Sequence, residues 1–178
     1  MKKIAVFCSA IDDIDAAYIQ AANDLGQWIG KNQHTLVYGG SSMGLMEHLA
    51  KAVKEQNGNV IGVVPSKLEE NNKVSLYIDQ LITTHNLSDR KDVMVQQADA
   101  IVALPGGIGT LDEVFHVMAA SSIGYHEKRV IFYNVNGFFQ PLLTWINQLH
   151  ATGFMRHPVS HYFDLANTLD ELLILLNN

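Results

Sequence analysis

The sequence predicts a Rossmann-like α/β fold, in which helices cover both faces of a doubly wound, mainly parallel sheet. Two observations support this prediction. Short runs of β-branched and other apolar residues alternate along the chain with stretches of helical periodicity. The chain has 178 residues, 48% of them hydrophobic, which is enough for one domain with one core, and we assign residues 1–178 to that domain.

Six apolar runs are the candidate strands. They cover residues 4–8, 36–38, 60–64, 81–84, 100–104 and 130–133. Between the first two runs, apolar residues fall on one helical face, and Asp12 or Asp13 is the expected N-cap of that helix. Near the end of the chain, Thr-Leu-Asp-Glu at residues 168–171 predicts a capping box that opens a last amphipathic helix. The polar stretch over residues 66–79 is the least regular part, and we expect a mobile loop there.

Charge and cysteine content limit the classes of function. The formal net charge is −6, which argues against general binding to nucleic acid or to an anionic membrane. The one cysteine, Cys8, has no partner for an intramolecular disulfide. No apolar run approaches the roughly 20 residues that span a bilayer. We therefore expect a cytoplasmic protein with no nucleic-acid or membrane partner.

A glycine-rich loop lies between the fifth candidate strand and a helical pattern. It reads Pro-Gly-Gly-Ile-Gly-Thr-Leu-Asp-Glu over residues 105–113. Backbone amides in such a loop, together with the positive end of the following helix, can contact a phosphate directly. The loop lacks the Gly-Lys-Ser/Thr ending of Walker A, and the first βα turn, around Ser9, has no glycine. These departures argue against a nicotinamide or flavin site, and we predict no cofactor.

Two interpretations of Glu113 are open. Residues 110–113 repeat the Thr-Leu-Asp-Glu of residues 168–171, and in a capping box the glutamate only reaches back to the first amide of its helix. The upstream glycines favour a catalytic role, because a carboxylate one turn into a phosphate-binding helix lies close to the sugar attached to that phosphate.

A second glycine loop, over residues 38–44, follows the second candidate strand and includes Gly40 and Ser41. Taken alone it is an ordinary tight βα turn. In a doubly wound sheet, however, loops at the carboxyl ends of neighbouring strands open onto one crevice, so both glycine loops are expected at the same site.

The region around Ser88 contains a local conflict. If Ser88 is the N-cap of a helix over residues 89–97, Arg90 and Lys91 lie in its first turn, where the helix dipole disfavours cations. One interpretation places both cations on a solvated face beside acidic neighbours. The other is that they bind an anion such as a phosphate.

The remaining candidates for chemistry form no recognised motif. The eight histidines show no metal-ligand spacing, so we predict no metal site. Ser41 and Ser42 have no identifiable base beside them in the sequence, which argues against a serine nucleophile.

Residues 105–113 match the PGGxGTxxE motif of the LONELY GUY family, phosphoribohydrolases that act on cytokinin riboside 5′-monophosphates. The sequence resembles that family over nearly its whole length. Further matches are Phe7-Cys8-Ser9, Tyr38-Gly39-Gly40, Arg90-Lys91 and Asp99-Ala100. Family members are often labelled lysine decarboxylases, but nothing in this sequence supports a pyridoxal phosphate site.

The resemblance implies hydrolysis of the N-glycosidic bond of a nucleoside 5′-monophosphate, AMP or a cytokinin-type riboside monophosphate, to free base and ribose 5-phosphate. It also implies that Arg90 and Glu113 are the catalytic pair. The expected phosphate-binding residues are Gly40, Ser41, Lys91, Gly106, Gly107, Gly109 and Thr110. The rival hypothesis is a non-catalytic carrier or sensor that binds a nucleotide or cofactor, as related α/β proteins with similar glycine loops do.

The chain departs from the family pattern at positions expected around the base. Residues 119–122 read Ala-Ala-Ser-Ser where the family commonly has Thr-Trp-Ala-Gln, and Ser41 and Glu47 stand where glycines are common. Glu69 and Glu70 are the candidates for a glutamate that the family carries after Pro65. These departures concern the base more than the reaction. The family also implies a homodimer, and small residues on the helix over 114–123 would let another helix pack closely.

Overall fold

Seven parallel strands form one sheet in the part of the chain that the structure, a computed structural model, describes, residues 1–69 and 73–178. The strands are β1 (Lys3–Phe7), β2 (Thr35–Tyr38), β3 (Asn59–Pro65), β4 (Gln80–Thr84), β5 (Ala100–Ala103), β6 (Val130–Tyr133) and β7 (Phe163–Ala166). The helices are α1 (Ala16–Lys31), α2 (Gly44–Glu55), α3 (Ser66–Glu69), α4 (Leu87–Gln97), α5 (Ile108–Ser122), α6 (Gln140–Ala151) and α7 (Leu169–Asn177). Short 3₁₀ helices cover Val135–Gly137 and Val159–His161.

The strand order places a crevice beside β1. The order is β4-β3-β2-β1-β5-β6-β7, so the chain moves outward from β1 to β4 and then returns to the other side of β1. Val6 pairs with Val102 and Phe7 with Ala103, so the loops after β1 and β5 begin at the same level. Loops diverge at such a reversal and leave room for a ligand at the carboxyl edge. The predicted Rossmann-like fold is confirmed.

Each face of the sheet is covered by its own set of helices. Ile4 and Val6 of β1 pack in the cluster formed with α1, α2 and α7, whereas Ala5 and Phe7 pack in the cluster formed with α4, α5 and α6. This alternation is the period of two expected of a strand buried on both faces. All of these β1 side chains are fully buried, so the strand that leads to the crevice is held by packing on both faces.

Two sequence-based assignments change, and a third is confirmed. The strand β7 was not predicted, because Asp164 interrupts its short apolar run. The N-cap of α1 is Asp15, whose carboxylate accepts a hydrogen bond from Ala17 N, and not Asp12 or Asp13. The predicted cap of the last helix is confirmed at Thr168, whose Oγ1 accepts from Glu171 N at 3.2 Å, while the Glu171 carboxylate reaches back to Asn167 N at 2.7 Å.

The stretch predicted to be a mobile loop is partly structured. It starts with α3, and residues 73–75 run beside the second glycine loop, where Ser42 N donates to Lys73 O and Ser75 N donates to Gly40 O, each at 2.9 Å. Residues 70–72, and with them Glu70, lie outside the described residues. Among the described residues, no helix combines the length and apolar character needed to cross a membrane.

Candidate active site

The loop after β5 ends in a helix that lacks a side-chain cap. Gly107 is the N-cap of α5, and no side chain bonds to the first amides of that helix. The N–H groups of Ile108, Gly109 and Thr110 therefore have no partner within the helix and carry its positive dipole end. Of the two interpretations of Glu113, the capping box at residues 110–113 does not hold, because α5 begins before it and both Thr110 and Glu113 lie inside the helix.

The glycines of this loop serve different purposes. At Gly106 a Cβ would lie 2.1 Å from Thr110 Oγ1, so packing within the protein requires glycine there. At Gly107 and Gly109 a Cβ would meet no atom within 4 Å. Packing does not explain those two glycines, and the space above them is open for a ligand to approach the amides.

Arg90 and Glu113 face each other beside this loop. Arg90 Nη1 lies 3.2 Å from Glu113 Oε1, and the two residues are 8% and 4% exposed. Despite this contact, Glu113 Oε1 has no hydrogen-bond partner with acceptable geometry among the described residues. A buried carboxylate oxygen that lacks a donor is costly to keep unless it serves a purpose.

Burial dominates the electrostatics of the pair. It raises the pKa of Glu113 from 4.5 to about 7, against the opposing effect of the Arg90 charge, while the neighbouring Asp112 raises it further. Burial also raises the pKa of the Cys8 thiol far above its ordinary value, with a further contribution from Glu113. The site thus contains a carboxyl group that titrates near neutrality and a thiol that stays protonated.

The backbone of the central strands holds Arg90 in place. Arg90 Nε donates to Val63 O at 3.0 Å, and a Cβ at Gly39 would lie 1.8 Å from Arg90 Nη2. The predicted N-cap at Ser88 is wrong. Asn86 is the cap, with its side chain accepting from Ser88 N and Asp89 N, so Arg90 is the fourth residue of α4 and lies beyond its first three amides.

One cleft with two lobes runs across Arg90. The Glu113 lobe has a volume of about 300 Å³ and the Ser41 lobe about 340 Å³. Residues shared by both lobes are Ala10, Ile11, Met46 and Arg90. The Glu113 lobe is further lined by Cys8, Ser9, Gly107, Ile108, Gly109 and Thr110, and the Ser41 lobe by Gly39, Gly40, Met43, Val64, Leu68 and Lys73. The two glycine loops therefore open onto one site, as predicted.

Comparison with known proteins identifies the family. The family described as "Possible lysine decarboxylase" matches residues 46–176. The chain is 36% identical over 172 residues to the cytokinin riboside 5′-monophosphate phosphoribohydrolase LOG5 of Arabidopsis thaliana, covering 97% of this chain and 75% of that protein. It is also 36% identical over 155 residues to the cytokinin riboside 5′-monophosphate phosphoribohydrolase of Rhodococcoides fascians, covering 86% and 78%. The chain belongs to the LONELY GUY (LOG) family.

A solved structure shares the LOG-type fold of this chain. The molybdenum cofactor carrier protein of Chlamydomonas reinhardtii superposes with a TM-score of 0.76, covering 98% of this chain and 95% of that one. Its sequence is 24% identical, so the likeness concerns the fold alone.

Most of the residues that the LOG motif singles out lie at the cleft. Arg90, Glu113, Gly107, Gly109 and Thr110 line the Glu113 lobe, and Gly40 and Ser41 line the Ser41 lobe. Gly106 lines an adjoining apolar pocket of about 270 Å³. Lys91 lines none of these spaces. Its ammonium instead lies 2.8 Å from both carboxylate oxygens of Asp112.

Apart from Ser41, the described positions that were expected around the base lie away from the cleft. Ala119 and Ser122 line a separate cavity of about 290 Å³ between α5 and α6. Glu47 lines neither lobe, and its Oε2 is buried without a hydrogen-bond partner among the described residues. The side chain of Glu69 is outside the described part.

Sequence reasoning missed several supports of the site. Lys73 lines the cleft without belonging to a motif, and a backbone carbonyl such as that of Val63 leaves no trace in a sequence. The described residues include no group of three or more His, Cys, Asp or Glu side chains that could hold a metal ion.

Proposed function

We propose that this protein hydrolyses the N-glycosidic bond of a nucleoside 5′-monophosphate, AMP or a cytokinin-type riboside monophosphate, to free base and ribose 5-phosphate. One observation carries the proposal: Glu113 is 4% exposed, pairs with Arg90, and lines the same lobe as the uncapped N-terminus of α5. The names of its curated LOG relatives support the same reaction.

The phosphate is proposed to bind the first amides of α5. The N–H groups of Ile108, Gly109 and Thr110 offer unpaired donors at a positive helix end, and the space over Gly107 and Gly109 is open. Gly106 keeps the loop close to the helix. The N-terminus of α5 and Glu113 line the same lobe, so the ribose attached to such a phosphate lies next to the Glu113 carboxyl group.

The chemistry follows from that position. As the C1′–N bond breaks, the base leaves with the bonding electrons and takes a proton from solvent, and positive charge grows on the sugar. The Glu113 carboxylate stabilises that charge, accepts a proton from the water whose oxygen bonds to C1′, and then releases this proton to solvent. Arg90 holds the carboxylate and faces both lobes, with the base directed toward the Ser41 lobe past Gly40 and Ser41.

The rival proposal is a nucleotide or cofactor carrier, which needs the glycine loop and the N-terminus of α5 but not the buried carboxylate. A carboxylate beside a phosphate weakens anion binding, so a carrier gains nothing from Glu113. The presence of a buried Arg–Glu pair at the lobe therefore favours the enzyme.

The deciding experiment incubates the pure protein with a panel of nucleoside 5′-monophosphates, beginning with AMP and an N6-prenylated AMP. Free base and ribose 5-phosphate are assayed together, because equal amounts of the two identify N-glycosidic hydrolysis. We expect both products from at least one member of the panel. Stoichiometric binding of every nucleotide without cleavage would establish the carrier instead.

A further inference from the structure

Three consecutive residues of α4 each contact α5. Arg90 pairs with Glu113, as described above, and its two successors pair as well. Lys91 Nζ lies 2.8 Å from Asp112 Oδ1, and Asp92 Oδ1 lies 2.9 Å from His116 Nε2. We call the pairs Lys91–Asp112 and Asp92–His116 the helix clamp.

The clamp specifies one register between the two helices. In the first pair the cation is on α4 and the anion on α5, and in the second pair the anion is on α4. Sliding one helix along the other would bring Asp92 toward Asp112, and like charges at short distance repel. The alternating polarity therefore favours the observed alignment over neighbouring ones.

The contact between Arg90 and Glu113 does not fix its own geometry, so it depends on the helix clamp. Arg90 is tied to β3 through Val63 O, whereas Glu113 is carried by α5. Their 3.2 Å contact lacks hydrogen-bond alignment, since Glu113 Oε1 has no satisfied partner. The distance between them is thus set by how α5 lies against α4.

Lys91 contacts its partner in the helix clamp and does not line the cleft. Its side chain is 13% exposed, while that of Asp112 is 51% exposed, so the lysine stem is packed between the helices with its ammonium on both carboxylate oxygens. To reach a phosphate in the Glu113 lobe it would have to give up both contacts.

We infer that Lys91 and Asp112 are positioning residues, whose ion pair, together with Asp92–His116, fixes the spacing of Arg90 and Glu113 for the proposed reaction. This inference rests on the proposed function for its kinetic test but not for its structural one. It departs from the sequence-based expectation that Lys91 binds the phosphate.

The kinetic test compares Lys91→Met, Asp112→Asn, the double variant, and the charge-swapped Lys91→Asp/Asp112→Lys on AMP. We expect each single variant to lower kcat by about tenfold with KM nearly unchanged, the double variant to be no worse than either single one, and the swap to recover most of the loss. Lys91→Arg should keep most of the activity. The control is Lys54→Met, which breaks an ion pair of similar length, 2.7 Å to Asp79, away from the cleft and should leave kcat unchanged.

The phosphate-ligand alternative predicts a different pattern. There, Lys91→Met raises KM for AMP at least about tenfold, Asp112→Asn changes neither constant, and the swap stays impaired. That pattern, or single variants that match the wild type in kcat, would overturn the clamp.

A structural test shows whether the helix clamp sets the contact between Arg90 and Glu113, even if no nucleotide is cleaved. The Glu113 carboxyl group is titrated by ¹³C NMR in the free protein. The double Lys91→Met/Asp112→Asn variant removes two charges of opposite effect on Glu113, and the larger of the two effects is that of Asp112, which raises the pKa, so losing both charges cannot by itself raise the Glu113 pKa. A remaining rise in the Glu113 pKa would report a looser contact with Arg90, as we expect. An unchanged titration in the double variant would overturn the inference.

Discussion

Glu113 has a raised carboxyl pKa although it lies 3.2 Å from the Arg90 cation. The carboxyl group is so far removed from water that burial outweighs the attraction of Arg90 and brings the pKa to about 7. A group that titrates near neutrality can both hold and release a proton during one turnover, which suits a general base.

Replacing Glu113 by glutamine should abolish base release while nucleotide binding persists. Glutamine keeps the shape of the side chain but removes the charge that stabilises the transition state, a loss of about 100-fold or more in kcat. Chromatography of the released base measures turnover, and calorimetry with ribose 5-phosphate compares binding in the wild type and the variant. Unchanged turnover would refute the proposed role of Glu113.

The same residue links stability to pH. Because its pKa is raised from 4.5 to about 7 in the folded state, the folded protein holds this proton more tightly than the unfolded chain. Its stabilising contribution is complete at pH values below its unfolded pKa and is lost as the pH rises through about 7.

This linkage predicts that stability and activity change in opposite directions with pH. Between about pH 5 and pH 8 the Tm of the wild type should fall relative to that of Glu113→Gln, which has no carboxyl group to titrate. Over the same interval kcat of the wild type should rise, since the carboxylate is the working form. Thermal melts and initial rates in one buffer series measure both. Parallel Tm curves for the two proteins would contradict the assigned pKa.

Arg90→Ala should weaken turnover or binding of AMP by at least about tenfold, because it removes the charge that holds Glu113 and that both lobes share. It should also raise the Glu113 pKa further, since Arg90 opposes the effect of burial. Steady-state kinetics across pH measures both effects. If rate, affinity and pH profile all match the wild type, Arg90 has no part in the site.

At the level of elements, we propose that the N-terminus of α5 distinguishes a nucleotide from its nucleoside. A helix end without a side-chain cap leaves amides that only a ligand or water can satisfy. A substrate without the phosphate leaves those donors to water, so AMP should be cleaved far better than adenosine.

Gly109→Ala tests this element, because the new Cβ enters open space within the helix. Alanine in a helix should raise stability by about 0.5–1 kcal/mol, yet its methyl group occupies the space proposed for the phosphate. We expect a higher Tm together with at least about a tenfold lower kcat/KM for AMP and little change for adenosine. A variant that keeps the kcat/KM of the wild type on AMP would show that the phosphate binds elsewhere.

The elements also show where sequence reasoning succeeds and where it fails. Periodicity located six strands, and the glycine patterns located the cleft, because both are local signals. The tetrapeptide Thr-Leu-Asp-Glu caps α7 at residues 168–171 but lies inside α5 at residues 110–113, where Gly107 has already begun the helix. Asn86 and Ser88 are both residue types that favour a helix N-cap, so residue type alone could not show that Asn86 caps α4.

At the level of the whole molecule, the cleft depends on strands that are distant in the chain. Loops after β1, β2 and β5 meet only when the sheet is complete, since the chain visits β3 and β4 before it returns beside β1. The buried contacts of Arg90 with Val63 and with the space at Gly39 arise from that assembly. They involve a carbonyl and a missing side chain, which is why no motif revealed them.

One surface remains apolar in the single chain. The cavity of about 290 Å³ between α5 and α6 is lined in part by Phe154, which is 81% exposed. Ile123, the C-cap of α5, is 56% exposed. Ala119, an exposed small residue on α5, lies at the same cavity. Exposed apolar groups gathered around a cavity are typical of surfaces that bind a partner.

We predict that a second copy covers this surface and that the protein is a homodimer. Ala119 would let a helix of the partner approach closely, whereas an arginine there would hold the helices apart and bury an unpaired charge. Light scattering at micromolar concentration should give twice the 19.7 kDa mass of the chain, and Ala119→Arg should shift it toward the single-chain value. The matched control is Ala16→Arg, which changes another exposed alanine, at the start of α1 on the opposite face of the sheet, and this variant should stay dimeric. A wild-type mass of 19.7 kDa would refute the dimer, and an Ala119→Arg protein that still dimerises would place the interface elsewhere.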